Sequence, residues 1–326
     1  MVVLYHFCDL SGEPVFRWVP LVCSAKLAVE GFFVMSGCLI VASYENSSSF
    51  MQYIEKRARR ILPAYWAALA FTLLIGVCFT SLPKAAFLES PASWKYVLSN
   101  ITFLNFIHPT LPGLFTNNPV MDSVNGSLWT IKIEIMFYFF APLLVYICRR
   151  CGRWQTLAGV FLLSLIYKSI CEQFHHDSLA LQLPAQLGFF SIGAFVYYYY
   201  PWFVKHGKPF WIVALFSYAA YLFTDWMFFR VIGISLFVMC VGLLFPIRKG
   251  QIRSGDFSYG VYVFHFPVIQ IFLAVGIFHR YPLLSAGLIS VIVACVSFAS
   301  WHLVEKPYLL GSRAKGPMVQ SVMTRA

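Results

Sequence analysis

The chain has 326 residues, of which 60% are apolar, 18% aromatic and only 11% charged, and its mean hydropathy is +0.72. Soluble globular domains carry about 25% charged residues, so this composition excludes an ordinary soluble enzyme. The net charge of +11 does not indicate nucleic-acid binding, because the Lys and Arg residues cluster between apolar runs, where membrane topology explains them.

Ten apolar runs follow one another along the chain and leave no room for a sizeable soluble domain. A membrane-spanning helix needs about 20 mostly apolar residues. The runs lie at residues 1–10, 27–44, 61–80, 128–147, 157–171, 181–200, 210–224, 231–247, 257–278 and 283–303. Only Asp225 and Arg230 interrupt residues 210–247, so this stretch predicts a tight hairpin. We therefore predict an all-α polytopic bundle of about ten transmembrane helices.

The basic residues predict the orientation of this bundle. With a cytoplasmic N-terminus, sixteen Lys and Arg residues fall on the cytoplasmic side and five on the opposite side. Positive charge concentrates in cytoplasmic loops, so this asymmetry indicates that both termini are cytoplasmic. The one long connection, residues 81–127, then lies on the outer side, and its aromatic residues predict a short interfacial helix at 94–106.

The two ends of the chain differ from the rest of the bundle. The first run, residues 1–10, would be only about 15 Å long as a helix, half the thickness of a bilayer. We expect either that the true start lies upstream of Met1 or that this helix begins in mid-membrane. Residues 1–310 are predicted to form one membrane domain, followed by a short basic cytoplasmic tail at 311–326.

Nine cysteines are spread through the chain, and only Cys148 and Cys151 have the spacing of a redox or metal site. No second pair accompanies them, and they bracket Arg149 and Arg150 at a predicted membrane boundary. We interpret them as ordinary interfacial cysteines and expect no metal.

Ionisable residues inside the apolar runs are candidates for function, because a charge inside a bilayer costs several kcal/mol unless it is paired or hydrated. His6 is the most informative, since a neutral imidazole can accept a proton from a hydroxyl; a structural histidine in the core is the alternative. Glu134 could orient or stabilise a protonated histidine, or bind an acceptor hydroxyl, or make only a packing hydrogen bond. The others are Glu30, Lys132, His265, His302 and Glu305.

A basic segment at 53–66 carries Arg57 and Arg60, three residues apart on one face of a predicted helix. Two guanidinium groups in this arrangement could grip a phosphate at the cytoplasmic mouth of the bundle. A topogenic cluster that contacts anionic lipid is the alternative.

These pieces, taken in order, resemble the acyltransferase-3 family of integral membrane acyltransferases. The resemblance covers the chain from Met1 to about Leu310. The blocks are Val2-Val-Leu-Tyr-His6; Val29-Glu30-Gly-Phe-Phe-Val-Met-Ser36-Gly37-Cys-Leu-Ile40; Lys56–Trp66; Asn125-Gly-Ser-Leu-Trp129-Thr-Ile-Lys-Ile-Glu134-Ile-Met-Phe137-Tyr138; Phe257-Ser-Tyr259-Gly-Val-Tyr262-Val-Phe-His265-Phe-Pro267; and Val304-Glu305-Lys306-Pro307.

The resemblance implies a membrane O-acyltransferase that moves an acetyl group from acetyl-CoA, as co-substrate, to a hydroxyl of a carbohydrate or glycolipid in the bacterial inner membrane. It implies that His6 is the catalytic histidine, that Glu134 is a catalytic or orienting acid, and that Arg57 and Arg60 bind CoA phosphates. Supporting or acceptor-site candidates are Glu30, Ser36, Trp129, Tyr138 and His265, of which the last three are candidate donors to the oxyanion.

This sequence departs from the family at three points. The arginine that usually precedes the first-helix histidine by about ten residues would lie before Met1, and Lys132 and Ile135 replace residues that are commonly small and acidic. Two other functional classes stay open at this stage. Intramembrane His and Glu residues also form the proton relays of transporters, and a structural subunit could use residues 81–127 to bind a partner.

Overall fold

The protein is described by a computed structural model over residues 1–121, 123–244 and 257–310. Its regular structure there is entirely helical, which confirms the predicted all-α class. A 3₁₀ turn at Pro14–Phe16 and a π-helical turn at Trp301–Glu305 accompany the α-helices. The α-helices are α1 (Val2–Ser11), α2 (Val19–Val22), α3 (Ala25–Glu45), α4 (Phe50–Phe79), α5 (Lys84–Glu89), α6 (Pro91–Ile101), α7 (Trp129–Cys151), α8 (Arg153–Gln173), α9 (Asp177–Ala180), α10 (Leu183–Tyr198), α11 (Tyr200–Lys205), α12 (Gly207–Thr224), α13 (Met227–Leu244), α14 (Ser258–Ala274), α15 (Ile277–Arg280), α16 (Pro282–Ser300) and α17 (Lys306–Leu310).

A helix lies at each of the ten predicted apolar runs. Within the described residues, seven helical segments are long and apolar enough to cross a membrane. They are Pro14–Glu45, Phe50–Phe79, Trp129–Cys151, Arg153–Gln173, Asp177–Tyr198, Met227–Leu244 and Pro282–Leu309. Two shorter apolar helices, α1 and α14, accompany them. A count of ten spans and the cytoplasmic location of both termini stay predictions, and the predicted tail at 311–326 lies outside the described residues.

The chain divides into two compact units, each built from segments that are far apart in sequence. Of the described residues, unit 1 contains Met1–Ala25, Lys56–Lys132 and 257–310. Unit 2 contains Lys26–Glu55 and 133–244.

In unit 1, α1 packs against α14 through a core of apolar side chains. Phe7 and Leu10 of α1 are buried against Phe266 and Ile269 of α14, and α15 and α16 complete this cluster. The helix ends at Gly12, which has the left-handed conformation (φ 66°) that glycine adopts without strain. Because Phe7 anchors α1 in this core, the neighbouring His6 is held next to α14.

The long connection at 81–127 also packs in unit 1, against α4. Phe87, Tyr96 and Leu114 are buried with Leu69 and Ile75 of α4 in a second apolar cluster. The connection contains α5 and α6, so the predicted short helix is confirmed with different bounds. It begins at Pro91 rather than residue 94, because Ser90 Oγ accepts a hydrogen bond from the Ala92 amide and caps it.

In unit 2, α3 and α10 approach each other closely at two glycines. A Cβ atom on Gly37 would overlap the Phe190 carbonyl, and one on Gly193 would overlap the Val34 carbonyl. Small residues at a helix crossing allow such backbone contact. The predicted hairpin within 210–247 is confirmed, since α12 and α13 are separated only by Asp225 and Trp226.

Candidate active site

Two histidines of unit 1 form a hydrogen-bonded pair. His6 Nδ1 on α1 lies 2.7 Å from His265 Nε2 on α14, and the two ring planes are 7° from parallel. The His265 side chain is fully buried, whereas His6 is partly exposed. The edge of the Phe266 ring packs against His6, with 5.2 Å between the ring centroids. His6 is therefore the more accessible member of the pair.

The hydrogen bonds of His265 determine which nitrogen of each ring carries a proton. His265 Nδ1 lies 2.8 Å from the Tyr262 carbonyl and 3.1 Å from the Val261 carbonyl. A carbonyl can only accept, so Nδ1 is protonated and the neutral ring has its lone pair on Nε2. That lone pair accepts the proton on His6 Nδ1. In the neutral pair, His6 therefore carries its own lone pair on Nε2, the nitrogen that is not bonded to His265.

Residues just before α7 and in its first turn hold the turn of α14 that carries His265. The Tyr262 hydroxyl donates to the Ser127 carbonyl at 2.8 Å and lies 2.6 Å from the Thr130 hydroxyl. Asn125 Nδ2 donates to the Val263 carbonyl at 2.8 Å. These three polar contacts to two adjacent residues of α14 hold the turn next to His265, and with it the orientation of the imidazole.

Two other predicted residues, Glu134 and Ser36, meet in unit 2. The Ser36 hydroxyl on α3 donates to Glu134 Oε2 on α7 at 2.6 Å, and both side chains are buried. Tyr138, one turn further along α7, is also buried, and its backbone carbonyl accepts a hydrogen bond from the Tyr53 hydroxyl at 2.9 Å. Sequence reasoning named Glu134 and Ser36 separately, and the structure brings them together. The action of Glu134 on the catalytic histidine stays a prediction.

Glu30 forms a buried ionic cluster in unit 2 that sequence reasoning missed. Its carboxylate accepts hydrogen bonds from Arg230 Nε and Nη2 at 3.2 and 2.9 Å, and Lys168 Nζ lies 3.7 Å away. All three side chains are buried. The sequence alone indicates that such a cluster could form, because a Glu, a Lys and an Arg inside apolar runs each need a partner of opposite charge.

The two arginines of the basic segment lie in unit 1, near the start of α4. Arg57 and Arg60 are both half-buried, and their spacing places them on one face of this helix. Their neighbour Arg59 donates a hydrogen bond to the Tyr308 carbonyl at 3.1 Å. Trp129, the first residue of α7, is also half-buried and lines a cavity of unit 1.

Comparison with known proteins gives the family. The sequence model of the acyltransferase domain that defines the acyltransferase-3 family matches residues 1–302. The chain is 29% identical to the O-acetyl transferase of Shigella phage Sf6, over 97% of this chain and 94% of that protein. It is 26% identical to nodulation protein 10 of Rhizobium leguminosarum bv. viciae, over 91% and 86% of the two chains.

A third relative is the exopolysaccharide production protein ExoZ of Rhizobium meliloti (strain 1021), with 25% identity over 88% of this chain and 90% of that protein. No solved structure matches this chain significantly. The family model spans almost the whole chain, and seven described helices have the length and apolarity of membrane spans. The chain belongs to the acyltransferase-3 family and is a multi-pass integral membrane acyltransferase.

Proposed function

We propose that this protein is an O-acetyltransferase of the bacterial inner membrane that moves acetyl from acetyl-CoA to a hydroxyl of a carbohydrate. The names of two relatives support this proposal. An O-acetyl transferase indicates that the transferred group is acetyl, and an exopolysaccharide production protein indicates a carbohydrate acceptor. Both are matched over most of their length, so the resemblance is not confined to one segment.

The observation that carries this proposal is the histidine pair. A general base must be neutral, reachable and correctly oriented, and a positioned imidazole satisfies the first condition near neutral pH. His6 is partly exposed, and its hydrogen bond to the buried His265 directs the lone pair of His6 Nε2 away from the pair. His265 is then a positioning residue, comparable in role to the group that orients the base in a catalytic triad.

The reaction follows from this arrangement. His6 Nε2 accepts the proton of the acceptor hydroxyl while the hydroxyl oxygen forms a bond to the thioester carbonyl carbon. The resulting tetrahedral intermediate collapses, the carbon–sulfur bond breaks, and the proton on Nε2 passes to the departing CoA thiolate. While His6 is positively charged, its Nδ1–H continues to donate to His265 Nε2, so the pair keeps its geometry through the cycle.

The oxyanion of the intermediate requires a hydrogen-bond donor. Both ring nitrogens of His265 are already used, one by His6 and one by backbone carbonyls. This favours the other two candidates, the Trp129 indole and the Tyr138 phenol, as donors. Glu134, whose carboxylate accepts a hydrogen bond from Ser36, is proposed as a catalytic or orienting acid on the basis of the family resemblance.

Arg57 and Arg60 are proposed to bind the phosphates of CoA. Both are half-buried on one face of α4, and guanidinium groups match phosphate oxygens in geometry as well as in charge. Arg60→Lys distinguishes this role from a topogenic one, because lysine preserves the positive charge that sets topology but not the bidentate fork. We expect this variant to raise the KM for acetyl-CoA about tenfold; an unchanged KM would favour the topogenic role.

The proposed function is tested in cells by mass spectrometry of surface glycans, with and without the gene. We expect glycans that carry extra mass corresponding to whole acetyl groups only when the gene is present. Glycans that do not change, together with uptake or release of a solute without acetyl-CoA consumption, would favour the transporter alternative.

A further inference from the structure

A cavity in unit 1 is formed by the connection at 81–127 and the start of α7. Its lining includes three asparagine side chains, a serine hydroxyl and aromatic rings, among them Tyr96, Asn100, Asn105, Phe106, Ser123 and Trp129. Its volume is about 180 Å³. This space is large enough for a small ring and far larger than the space that one water molecule needs.

The chemistry of the lining selects a neutral ligand with hydroxyl groups. None of the described lining residues carries a charge, so the cavity does not suit a phosphate or a carboxylate. Amides both donate and accept hydrogen bonds, and aromatic rings pack against the apolar face of a sugar. Burial raises the pKa of the Tyr96 phenol, an effect to which Tyr65 adds, so this hydroxyl stays protonated.

Asn105 supplies an independent indication that something binds in the cavity. Its side chain is 92% buried, and its Oδ1 atom has no hydrogen-bond partner among the described residues. A buried amide oxygen without a partner loses its hydration without replacement, and such groups in native proteins require an explanation. A hydroxyl of a bound ligand would donate to this oxygen and replace the lost hydration.

The cavity adjoins the histidine pair within the same unit. A Cβ atom on Gly126, which lines the cavity, would lie 2.7 Å from the tip of the Phe266 ring, and that ring packs edge-on against His6. Asn125 and Ser127, on either side of Gly126, are hydrogen-bonded to the turn of α14 that bears His265. The Phe266 ring is thus close to both the wall of the cavity and the proposed base.

We infer that this cavity binds one sugar ring of the acceptor, with Asn105 accepting a hydrogen bond from a sugar hydroxyl. This inference rests on the proposed function, since it identifies the acceptor side of the same reaction. It makes Asn105 a specificity residue and assigns the connection at 81–127 to acceptor binding. The arginines of α4 are proposed to bind the acyl donor through charge, whereas uncharged side chains would bind the sugar in this cavity.

The test uses the full-length protein with a thiol introduced by Ser123→Cys in the wall of the cavity. Its reaction with methyl methanethiosulfonate is followed by mass spectrometry of the peptide that contains position 123, so the nine native cysteines do not interfere. The probes are D-glucose, D-galactose, L-rhamnose and N-acetylglucosamine. Asn117→Cys is the matched control, because Asn117 is exposed in the same connection and does not line the cavity.

At about ten times its Kd, at least one of these sugars is expected to slow labelling at position 123 about tenfold, with no effect at position 117. Adding Asn105→Leu should remove this protection while leaving the labelling rate without sugar unchanged. Absence of protection by all four sugars, or protection by inorganic phosphate or acetyl-CoA instead, would overturn the inference. Glycan acetylation is measured separately. Acetyl transfer without protection by any sugar would refute sugar binding in the cavity but not the proposed function. Protection by a sugar without acetyl transfer would refute only the proposed function.

Discussion

At the scale of single residues, the sequence identifies the polar groups but not their partners. His6, Glu134 and His265 stand out because each is ionisable and lies in an apolar run, where an unpaired charge is costly. His6 and His265 are 259 residues apart, however, and their hydrogen bond depends on how α1 packs against α14. No local pattern encodes that contact, so the sequence indicates His265 only as one of several supporting or acceptor-site candidates and as a possible oxyanion donor.

The role of His265 is tested by comparing two substitutions. His265→Ala removes the acceptor for His6 Nδ1–H, so the base loses its fixed orientation, and we expect kcat to fall about 100-fold with little change in the KM for acetyl-CoA. Gln can still accept that proton through its amide oxygen, so His265→Gln should retain clearly more activity than the alanine variant. Equal loss in both variants would indicate a purely structural residue.

The buried ionic cluster of Glu30 makes a prediction about stability. Glu30→Gln leaves Arg230 and Lys168 buried without a negative partner, which should lower the free energy of unfolding by about 3–5 kcal/mol. Glu45→Gln is the control, because its partner Arg149 is 62% exposed and such a pair contributes about 0–1 kcal/mol. Thermal unfolding in detergent measures the stability of both variants. Similar melting temperatures for Glu30→Gln and Glu45→Gln would contradict the larger contribution expected from the buried cluster.

At the scale of helices, the sequence predicts position well and boundaries less well. Each apolar run became a helix, because length and apolarity are local properties. The ends depend on individual groups, such as the Ser90 hydroxyl that starts α6 at Pro91 and the left-handed Gly12 that ends α1. The close crossing of α3 and α10 could not be predicted, because a glycine in an apolar run does not reveal which helix it faces.

The crossing of α3 and α10 is tested with a single methyl group. Gly193→Ala places a Cβ against the Val34 carbonyl, so the helices must separate, and we expect a loss of about 1–3 kcal/mol in stability. Gly159→Ala on α8 is the control, since nothing lies within 4 Å of its added Cβ and alanine favours the helix. A melting temperature for Gly193→Ala equal to that of Gly159→Ala would contradict the close packing.

At the scale of the whole molecule, composition and family resemblance predicted the class of protein. Low charge and high apolarity indicate a polytopic membrane protein, and the family model confirms an acyltransferase. The division into two compact units was not predicted, because their segments alternate along the chain without any shift in composition. The orientation in the membrane is predicted only from the number of Lys and Arg residues on each side, and this prediction needs a direct test.

The orientation is tested by labelling introduced cysteines with a maleimide that cannot cross the membrane. We expect the thiol of Asn117→Cys to react in intact cells, because residues 81–127 are predicted to lie outside. The thiol of Lys208→Cys, also exposed in the structure, should react only after permeabilisation. Peptide mass spectrometry resolves both from the native cysteines, and the reverse pattern would invert the assigned topology.

The proposed role of the His6 imidazole as the base in acetyl transfer is tested by measuring transfer with the purified protein. Acetyl-CoA consumption and acetylation of isolated surface polysaccharide are followed together for the wild type, His6→Ala and the exposed control His176→Ala. We expect His6→Ala to lose at least about 100-fold of the transfer rate, while its melting temperature and the activity of His176→Ala stay at wild-type values. Acetylation by His6→Ala at the wild-type rate would contradict this role.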